Sequence, residues 1–193
     1  MKLHLGCGKR YLPGFFHIDI DPYPHIDLIQ SIGDLSNFET ESIDEIYSSH
    51  AISYYDRFEA EKVLLEWNRV LKPFGQIFLV VTDLESLIKI YESTEKDINS
   101  IIGPLFGRWA IHGSGEEEIP KYIYHKTIWD EISLSNILLK NGFLKIQKFN
   151  PQEYLFKIDP KYDDHSLAFF PHMQKSGIQV SLALQGTKIN SKT

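Results

Sequence analysis

Glycine and acidic residues stand at the ends of two predicted strands near the start of the chain. Gly6-Cys7-Gly8 follows the first apolar run, and Asp19 lies in the alternating segment His17-Ile18-Asp19-Ile20-Asp21. Two glycines let the backbone approach a ligand closely, because no Cβ atom intervenes. A carboxylate at the tip of the neighbouring strand can accept hydrogen bonds from both hydroxyls of a ribose. The pattern predicts a site for a nucleotide-like ligand.

Further groups with useful chemistry follow the next two predicted strands. Asp34, in Gly33-Asp34-Leu35, offers a second carboxylate, and His50, in Ser48-Ser49-His50, offers an imidazole. An imidazole titrates near neutral pH, so it can take a proton from an acceptor hydroxyl or amine. His125, within Tyr124-His125-Lys126, is the second candidate base. Two simpler roles stay open: His50 shapes the pocket, and His125 is a structural residue ahead of a helix.

The elements that must position these groups alternate between strand-length apolar runs and helices. Strands are predicted at residues 3–5, 15–20, 26–29, 43–48 and 76–82. Asp56 and Glu59 form a capping-box pattern that opens a helix, and Pro73 and Gly75 follow its end. Strand, helix and strand in this order indicate a right-handed parallel crossover, with ligands at the carboxyl edge of the sheet.

The second half of the chain is predicted to add helices, two more strands and a long connection. Helices are predicted at 84–93 and 98–106, and a third is predicted to be capped by Thr127 and Asp130 and to stop at Asn141-Gly142. The last strands are predicted at 143–149 and 178–186. The stretch 150–177 is longer than a compact domain normally leaves without a function or unrecognised structure.

Five segments resemble the motifs of class I S-adenosylmethionine-dependent methyltransferases. They are residues 3–8, 17–19, 33–35, 43–50 and 69–76, and Arg-Val-Leu-Lys-Pro-Phe-Gly in the last of them is the most specific. The resemblance covers residues 2–84. It implies an α/β fold of Rossmann-like type: a seven-stranded, mostly parallel sheet with an antiparallel last strand, in three α/β/α layers. A short first helix is expected, because few residues separate the glycine turn from the second strand.

The same resemblance implies S-adenosylmethionine as the cofactor and gives roles to the matching residues. Gly6 and Gly8 would border the methionine part of the donor, Asp19 would bind the ribose, and Asp34 would face the adenine amine. The other expected donor-binding residues are Cys7, Leu35, Ser49 and His50.

The composition restricts the chemical class of the acceptor molecule and the cellular compartment of the protein. Lys and Arg number 20 against 26 Asp and Glu, and this net charge of −6 disfavours nucleic acid as a substrate. No apolar run approaches the roughly 18 residues of a membrane span. The single cysteine, Cys7, fits a reducing compartment. We therefore expect a cytoplasmic chain with no membrane partner and no metal site, which can form homo-oligomers.

The acceptor is expected to be a small molecule or a glycan, methylated at oxygen or nitrogen. A single domain, 1–193, is predicted, with 84–126 as an inserted helical cover. Residues 103–126 and 150–177 are expected to contact the acceptor. These two segments contain most of the aromatic and polar residues that are not assigned to donor binding. These residues are Arg108, Trp109, His112, Tyr124, His125, His165 and His172, with Gly103, Gly107, Gly113 and Gly115 as hinges.

The sequence disfavours two other activities and leaves two alternatives open. A dinucleotide-binding dehydrogenase would need a third glycine where Tyr11 stands, and the Gly-Lys-Ser/Thr sequence of a P-loop does not occur. Ser53 and Tyr54 occupy positions where many members of the resembled family carry Glu and His. A catalytically inactive donor-binding partner therefore stays open as an alternative, followed by a nucleic-acid methyltransferase.

Overall fold

The computed structural model describes residues 1–112, 121–171 and 176–190. The helices are α1 Arg57–Val70, α2 Leu84–Ser93, α3 Ile102–Phe106, α4 Glu131–Lys140 and α5 Pro151–Phe156. The strands are β1 Lys2–Leu5, β2 Phe16–Asp19, β3 Leu28–Ile29, β4 Ile43–Ser49, β5 Leu71–Thr82, β6 Trp109–Ile111, β7 Lys121–Ile123, β8 Phe143–Lys148, β9 Phe169–Phe170, β10 Ile178–Gln179 and β11 Ser181–Lys188. Short 3-10 turns lie at Ile52–Tyr54, Ile98–Ser100 and His165–Leu167.

The main sheet has seven strands in the order β3-β2-β1-β4-β5-β11-β8. The neighbours from β3 to β5 are parallel, whereas β11 is antiparallel to both β5 and β8. This confirms the predicted seven-stranded sheet with an antiparallel last strand. Because the parallel strands end at one edge, the residues that follow β1, β2 and β4 meet there.

Alternation of side chains along the strands gives the sheet two buried faces. Leu3 and Leu5 of β1 pack on the face that α1 covers, where Trp67 is fully buried and its indole N–H donates to Ile32 O over 2.7 Å. The other face carries Tyr47 of β4, which packs in a cluster with Leu155 of α5. The result is the expected three-layer arrangement.

Local capping signals fix where two helices begin. The Asp56 carboxylate accepts from Glu59 N over 2.8 Å and Glu59 accepts from Asp56 N over 2.9 Å, as the capping-box pattern predicted. In α4 the box is formed by Asp130 and Ser133, so the prediction that Thr127 shares this cap was wrong. Thr127 lies too far from the first turn, and its hydroxyl donates to Tyr55 O.

Three connections differ from their expected structure. The short first helix is reduced to hydrogen-bonded turns, since residues 6–15 are too few for a helix that spans the sheet. The described part of the cover, 84–126, contains the antiparallel pair β6–β7 besides α2 and α3, so it is not helical throughout. The stretch 150–177 is structured in its described residues, beginning with α5, which Asn150 caps.

None of the described helices is both long enough and apolar enough to span a bilayer.

Candidate functional site

A cavity of about 810 Å³ opens at the carboxyl ends of β1, β2 and β4. Its volume falls within the roughly 300–1,000 Å³ that small-molecule sites occupy. The floor comes from the turn after β1, and one wall comes from β7 and the residues that follow it. Ligands of parallel α/β sheets bind at this edge, because the strand tips expose backbone groups and side chains there.

The glycine turn that follows β1 needs both of its glycines. Gly6 has φ of 68° and Gly8 has φ of 53°, in the left-handed region that favours glycine. A Cβ atom on Gly6 would lie 2.3 Å from the Cβ of Ala51, just beyond β4. A Cβ on Gly8 would lie 3.3 Å from the ring of Trp109, in β6. The turn is therefore pressed between the tip of β4 and the β6–β7 pair.

Asp19, the last residue of β2, lines the cavity and holds the glycine turn. One of its carboxylate oxygens accepts from Gly8 N over 2.7 Å, and the other accepts from Asp21 N over 2.9 Å. Burial raises the pKa of Asp19. Each carboxylate oxygen has a second lone pair, so the group can still accept from two ligand hydroxyls.

The residues after β3 are placed differently from the other sequence-predicted donor residues. Asp34 is exposed and lies outside the cavity lining, and its carboxylate accepts from Ser36 N over 3.1 Å. Leu35 is fully buried in the core. Ile32 is the residue of this segment that lines the cavity. The chain turns at this point, where Asp34 N donates to Ser31 O, so Asp34 is carried away from the sheet edge.

Cys7 and Ser49 both line the cavity. The thiol of Cys7 is buried, which raises its pKa and keeps it protonated. The buried hydroxyl of Ser49 has no hydrogen-bond partner among the described residues. A polar ligand group beside Ser49 would satisfy this hydroxyl, whose burial otherwise costs free energy.

His50 lines the cavity directly after β4 and has φ of 57°, which is uncommon for a residue other than glycine. Its Nε2 lies 2.9 Å from Ser181 Oγ, and its Nδ1 lies 3.2 Å from Thr82 Oγ1. The Ser181 hydroxyl donates its one hydrogen to the backbone carbonyl of His165 over 3.0 Å. Nε2–H of His50 therefore donates to Ser181, which leaves Nδ1 as an acceptor. The Thr82 hydroxyl beside Nδ1 also lies 3.3 Å from Pro104 O, so its one hydrogen serves either of these two acceptors.

Burial lowers the pKa of His50 to about 3, so the ring is neutral near pH 7 and carries the single proton that this network requires. Nε2 of His50 is used within the protein, and Nδ1 lies beside the Thr82 hydroxyl. His50 therefore ties the tips of β4, β5 and β11 to the 3-10 turn at His165–Leu167.

His125 also lines the cavity, on the wall that follows β7. Its ring lies 4.9 Å from the ring of Tyr54 between centroids and packs against Gly107, where no side chain could fit. Burial lowers its pKa, which favours the neutral imidazole. Its Nδ1 is buried without a hydrogen-bond partner among the described residues. His125 therefore retains a ring nitrogen for further hydrogen bonding.

Aromatic side chains dominate the side of the cavity nearest to the β6–β7 pair. Trp109, Tyr122 and Tyr124 all line it. Arg108 lies at their edge with its guanidinium 3.5 Å from the centre of the Tyr122 ring. His112 N donates to the buried Asp21 carboxylate over 2.7 Å, which fastens the end of β6 to the tip of β2. His172, Gly113 and Gly115 lie outside the described residues.

Among the cavity residues that were not assigned to the site from the sequence, three have buried polar side chains: His4, Tyr162 and Asp164. All three are buried, and burial lowers the pKa of His4 well below its ordinary value. His4 lies inside a strand, and Asp164 belongs to an acidic cluster typical of a solvated turn, so neither carried a clear signal. Within the described ranges, no group of three or more His, Cys, Asp or Glu side chains could hold a metal ion.

Four histidines that are buried or partly buried predict how stability depends on pH. Burial lowers the pKa of His4, His17, His50 and His125. The unfolded chain binds protons at these rings near pH 6.5, where the folded chain does not, so acid favours unfolding. We expect the free energy of unfolding to be greatest above about pH 7 and to fall as the pH drops below 6.5 towards 4. Urea titrations at a series of pH values measure this, and stability that stays constant or rises from pH 7 to 5 would contradict it.

Comparisons with known proteins agree with this fold. Residues 15–79 match a family model described as a methyltransferase domain. No curated protein matches the chain in sequence. The fold is similar to an S-adenosylmethionine-dependent methyltransferase from Archaeoglobus fulgidus, with 17% identity, a TM-score of 0.55 and coverage of 97% of this chain and 85% of that one. The fold is also similar to such a methyltransferase from Methanosarcina mazei. The identity is 15% and the TM-score 0.54, and the match covers 97% of this chain and 92% of that one.

A third similar structure is the 1,6-didemethyltoxoflavin-N1-methyltransferase of Burkholderia thailandensis, which contains 1,6-didemethyltoxoflavin and S-adenosylhomocysteine. It is 12% identical with a TM-score of 0.52, over 98% of this chain and 71% of that one. The matched family model and the shared fold agree with the resemblance to class I S-adenosylmethionine-dependent methyltransferases seen in the sequence. The two similar proteins from Archaeoglobus fulgidus and Methanosarcina mazei are described as S-adenosylmethionine-dependent, in agreement with the cofactor expected from the sequence.

Proposed function

We propose that the cavity binds S-adenosylmethionine and that the protein transfers its methyl group to oxygen or nitrogen of a small-molecule or glycan acceptor. The observation that carries this proposal is the position of Asp19. This buried carboxylate fastens the turn at Gly8 and faces the cavity at the tip of β2, where a ribose can donate two hydrogen bonds to it.

The lining suggests an orientation for the donor. With the ribose at Asp19, the apolar side chains of Ile20 and Ile32 offer contacts for the adenine. The methionine end would lie against the glycine turn, where the unpartnered hydroxyl of Ser49 is available. Asp34 lies outside the cavity lining, so this proposal does not give it the adenine role that the resemblance implied.

The two candidate histidines receive different roles in this proposal. His125 is the candidate that takes the acceptor proton, because it is neutral and one of its ring nitrogens has no partner among the described residues. His50 is a positioning residue in this proposal, since its Nε2 donates to Ser181 and its Nδ1 lies beside the Thr82 hydroxyl.

The segment 84–126 serves as a cover in this proposal. Trp109 lies over the glycine turn, and the Tyr54 hydroxyl donates to Gly107 O over 2.7 Å, which joins the cover to the residues after β4. Such a cover would exclude water from the reactive sulfonium of the donor. We also propose a cytoplasmic location, because the one cysteine is a buried free thiol.

Calorimetric titration with S-adenosylmethionine, S-adenosylhomocysteine and NAD tests the donor site. We expect the first two to bind in the micromolar range and NAD not to bind. Binding of NAD without the other two would overturn the proposal. Incubation with methyl-labelled donor and a panel of sugars, nucleotide sugars, amines and phenols then tests transfer.

An inactive donor-binding partner is the second candidate. Ser53 and Tyr54 favour it, because many members of the resembled family carry Glu and His at these two positions. The Ser53 hydroxyl is buried without a partner in the part of the chain described, and Tyr54 binds the cover. Donor binding without label transfer to any acceptor, together with a copurifying protein, would support this candidate instead.

A further inference from the structure

A second cavity, of about 840 Å³, adjoins the first. It lies where β8 ends, so it opens at the same edge of the sheet as the donor cavity. Phe149, Phe156 and Phe169 contribute aromatic rings to its lining. One set of residues lines both cavities and forms what we call the shared wall: Arg10, Tyr162, Asp164 and His165.

Tyr162 supplies an unpartnered hydrogen-bond donor to the shared wall. Its side chain is only 5% exposed, and its hydroxyl has no hydrogen-bond partner among the described residues. Burial and the nearby Asp164 carboxylate raise the pKa of Tyr162, so the hydroxyl keeps its hydrogen. A ligand atom beside this hydroxyl should be a hydrogen-bond acceptor, because a buried unsatisfied donor costs free energy.

Asp164 supplies acceptor groups to the same wall. It is 7% exposed, and one of its oxygens accepts from the Tyr47 hydroxyl over 2.7 Å while the other accepts from Ser166 N over 2.7 Å. These two bonds hold the carboxylate in place. A carboxylate accepts about four hydrogen bonds, so lone pairs remain for a ligand that can donate.

A ligand group that meets Tyr162 and Asp164 together must both accept and donate a hydrogen bond. A hydroxyl does both. An ionised carboxylate or phosphate oxygen has no hydrogen to donate to Asp164, and an ammonium has no lone pair to accept from Tyr162. The aromatic rings beyond the wall suit the apolar C–H faces of a sugar, and Gln179 adds an amide whose Nε2 donates to Ser166 O, leaving its oxygen for a hydroxyl.

We propose that the second cavity binds a carbohydrate acceptor and that Tyr162 and Asp164 hold one of its hydroxyls at the wall shared with the donor cavity. This inference rests on the proposed function, because it identifies the acceptor hydroxyl that would face the methyl donor. It restricts the acceptor to a sugar and the acceptor atom to oxygen.

The binding experiment uses the full chain saturated with S-adenosylhomocysteine. The probes are the methyl glycosides of glucose, galactose, mannose and rhamnose at up to 50 mM, observed by saturation-transfer NMR. Benzoate and phenethylamine serve as an aromatic anion and an aromatic cation without hydroxyls. We expect at least one glycoside to bind, and neither benzoate nor phenethylamine to bind more tightly than it does.

Two substitutions in the wall and one outside it locate the site. Tyr162→Phe removes only the donor hydroxyl, and Asp164→Asn removes the charge and one acceptor; each should weaken glycoside binding about five- to tenfold. Tyr154→Phe is the matched control. Tyr154 is a partly buried tyrosine of α5 whose hydroxyl donates to Glu45 over 2.6 Å, and it does not line the cavity. Its replacement should leave glycoside binding unchanged.

The outcomes separate this inference from the proposed function. If S-adenosylhomocysteine binds but no glycoside does, or if benzoate or phenethylamine binds more tightly, the carbohydrate site is wrong while the donor site stands. Equal weakening by Tyr154→Phe and Tyr162→Phe would also overturn the site. If S-adenosylhomocysteine itself fails to bind, it is the proposed function that fails.

Discussion

Replacement of Asp19 by alanine is expected to weaken binding of S-adenosylmethionine and S-adenosylhomocysteine by at least about a hundredfold. The substitution removes a buried carboxylate that can accept from both ribose hydroxyls, and hydrogen bonds to a charged group contribute about 1.5–3 kcal/mol each. It also releases Gly8 N and Asp21 N, which the carboxylate holds. Calorimetry on the purified variant measures the change in affinity.

Two further substitutions serve as controls for Asp19→Ala. Asp19→Asn keeps the size and one oxygen acceptor, so we expect it to lose less affinity than the alanine variant. Asp34→Ala removes a carboxylate that the sequence assigned to the adenine but that is exposed outside the cavity, so donor affinity should change less than twofold. A large loss in Asp34→Ala with little loss in Asp19→Ala would reverse the assignment.

Replacement of Gly6 by alanine is expected to lower the free energy of unfolding by about 3 kcal/mol. An alanine would have to adopt φ near 68°, at about 1–2 kcal/mol, and its Cβ would lie 2.3 Å from that of Ala51, at a further 1–3 kcal/mol. In a chain of 193 residues this corresponds to a fall in melting temperature of roughly 6–12 °C. Thermal unfolding followed by circular dichroism measures it.

Gly14→Ala is the matched control for Gly6→Ala. Gly14 also has a positive φ, 82°, but a Cβ there meets no atom within 4 Å. Its replacement should therefore lower the free energy of unfolding only by the backbone cost, about 1–2 kcal/mol. If the two variants lose the same stability, the contact between Gly6 and Ala51 does not restrict the turn.

The sequence by itself determined the features that depend on neighbouring residues. The glycine turn, the acidic tip of β2 and the capping box at Asp56 are local, because turn conformation, strand alternation and helix capping act over a few positions. Together with the family resemblance, they were enough to predict the sheet and to bring Gly6, Gly8 and Asp19 to one cavity at its edge. The bounds of α2 were also predicted correctly, and its first turn is capped locally, where the Asp83 carboxylate accepts from Glu85 N.

Only the tertiary structure decided how distant segments share the site. It turned Asp34 out to solvent, because the direction of the chain after a two-residue strand depends on what packs against it. It engaged both nitrogens of His50 with hydroxyls 32 and 131 residues away. It also brought Tyr162 and Asp164 to the wall between two cavities. Such contacts join residues far apart in the chain, and no local pattern of residue types records them.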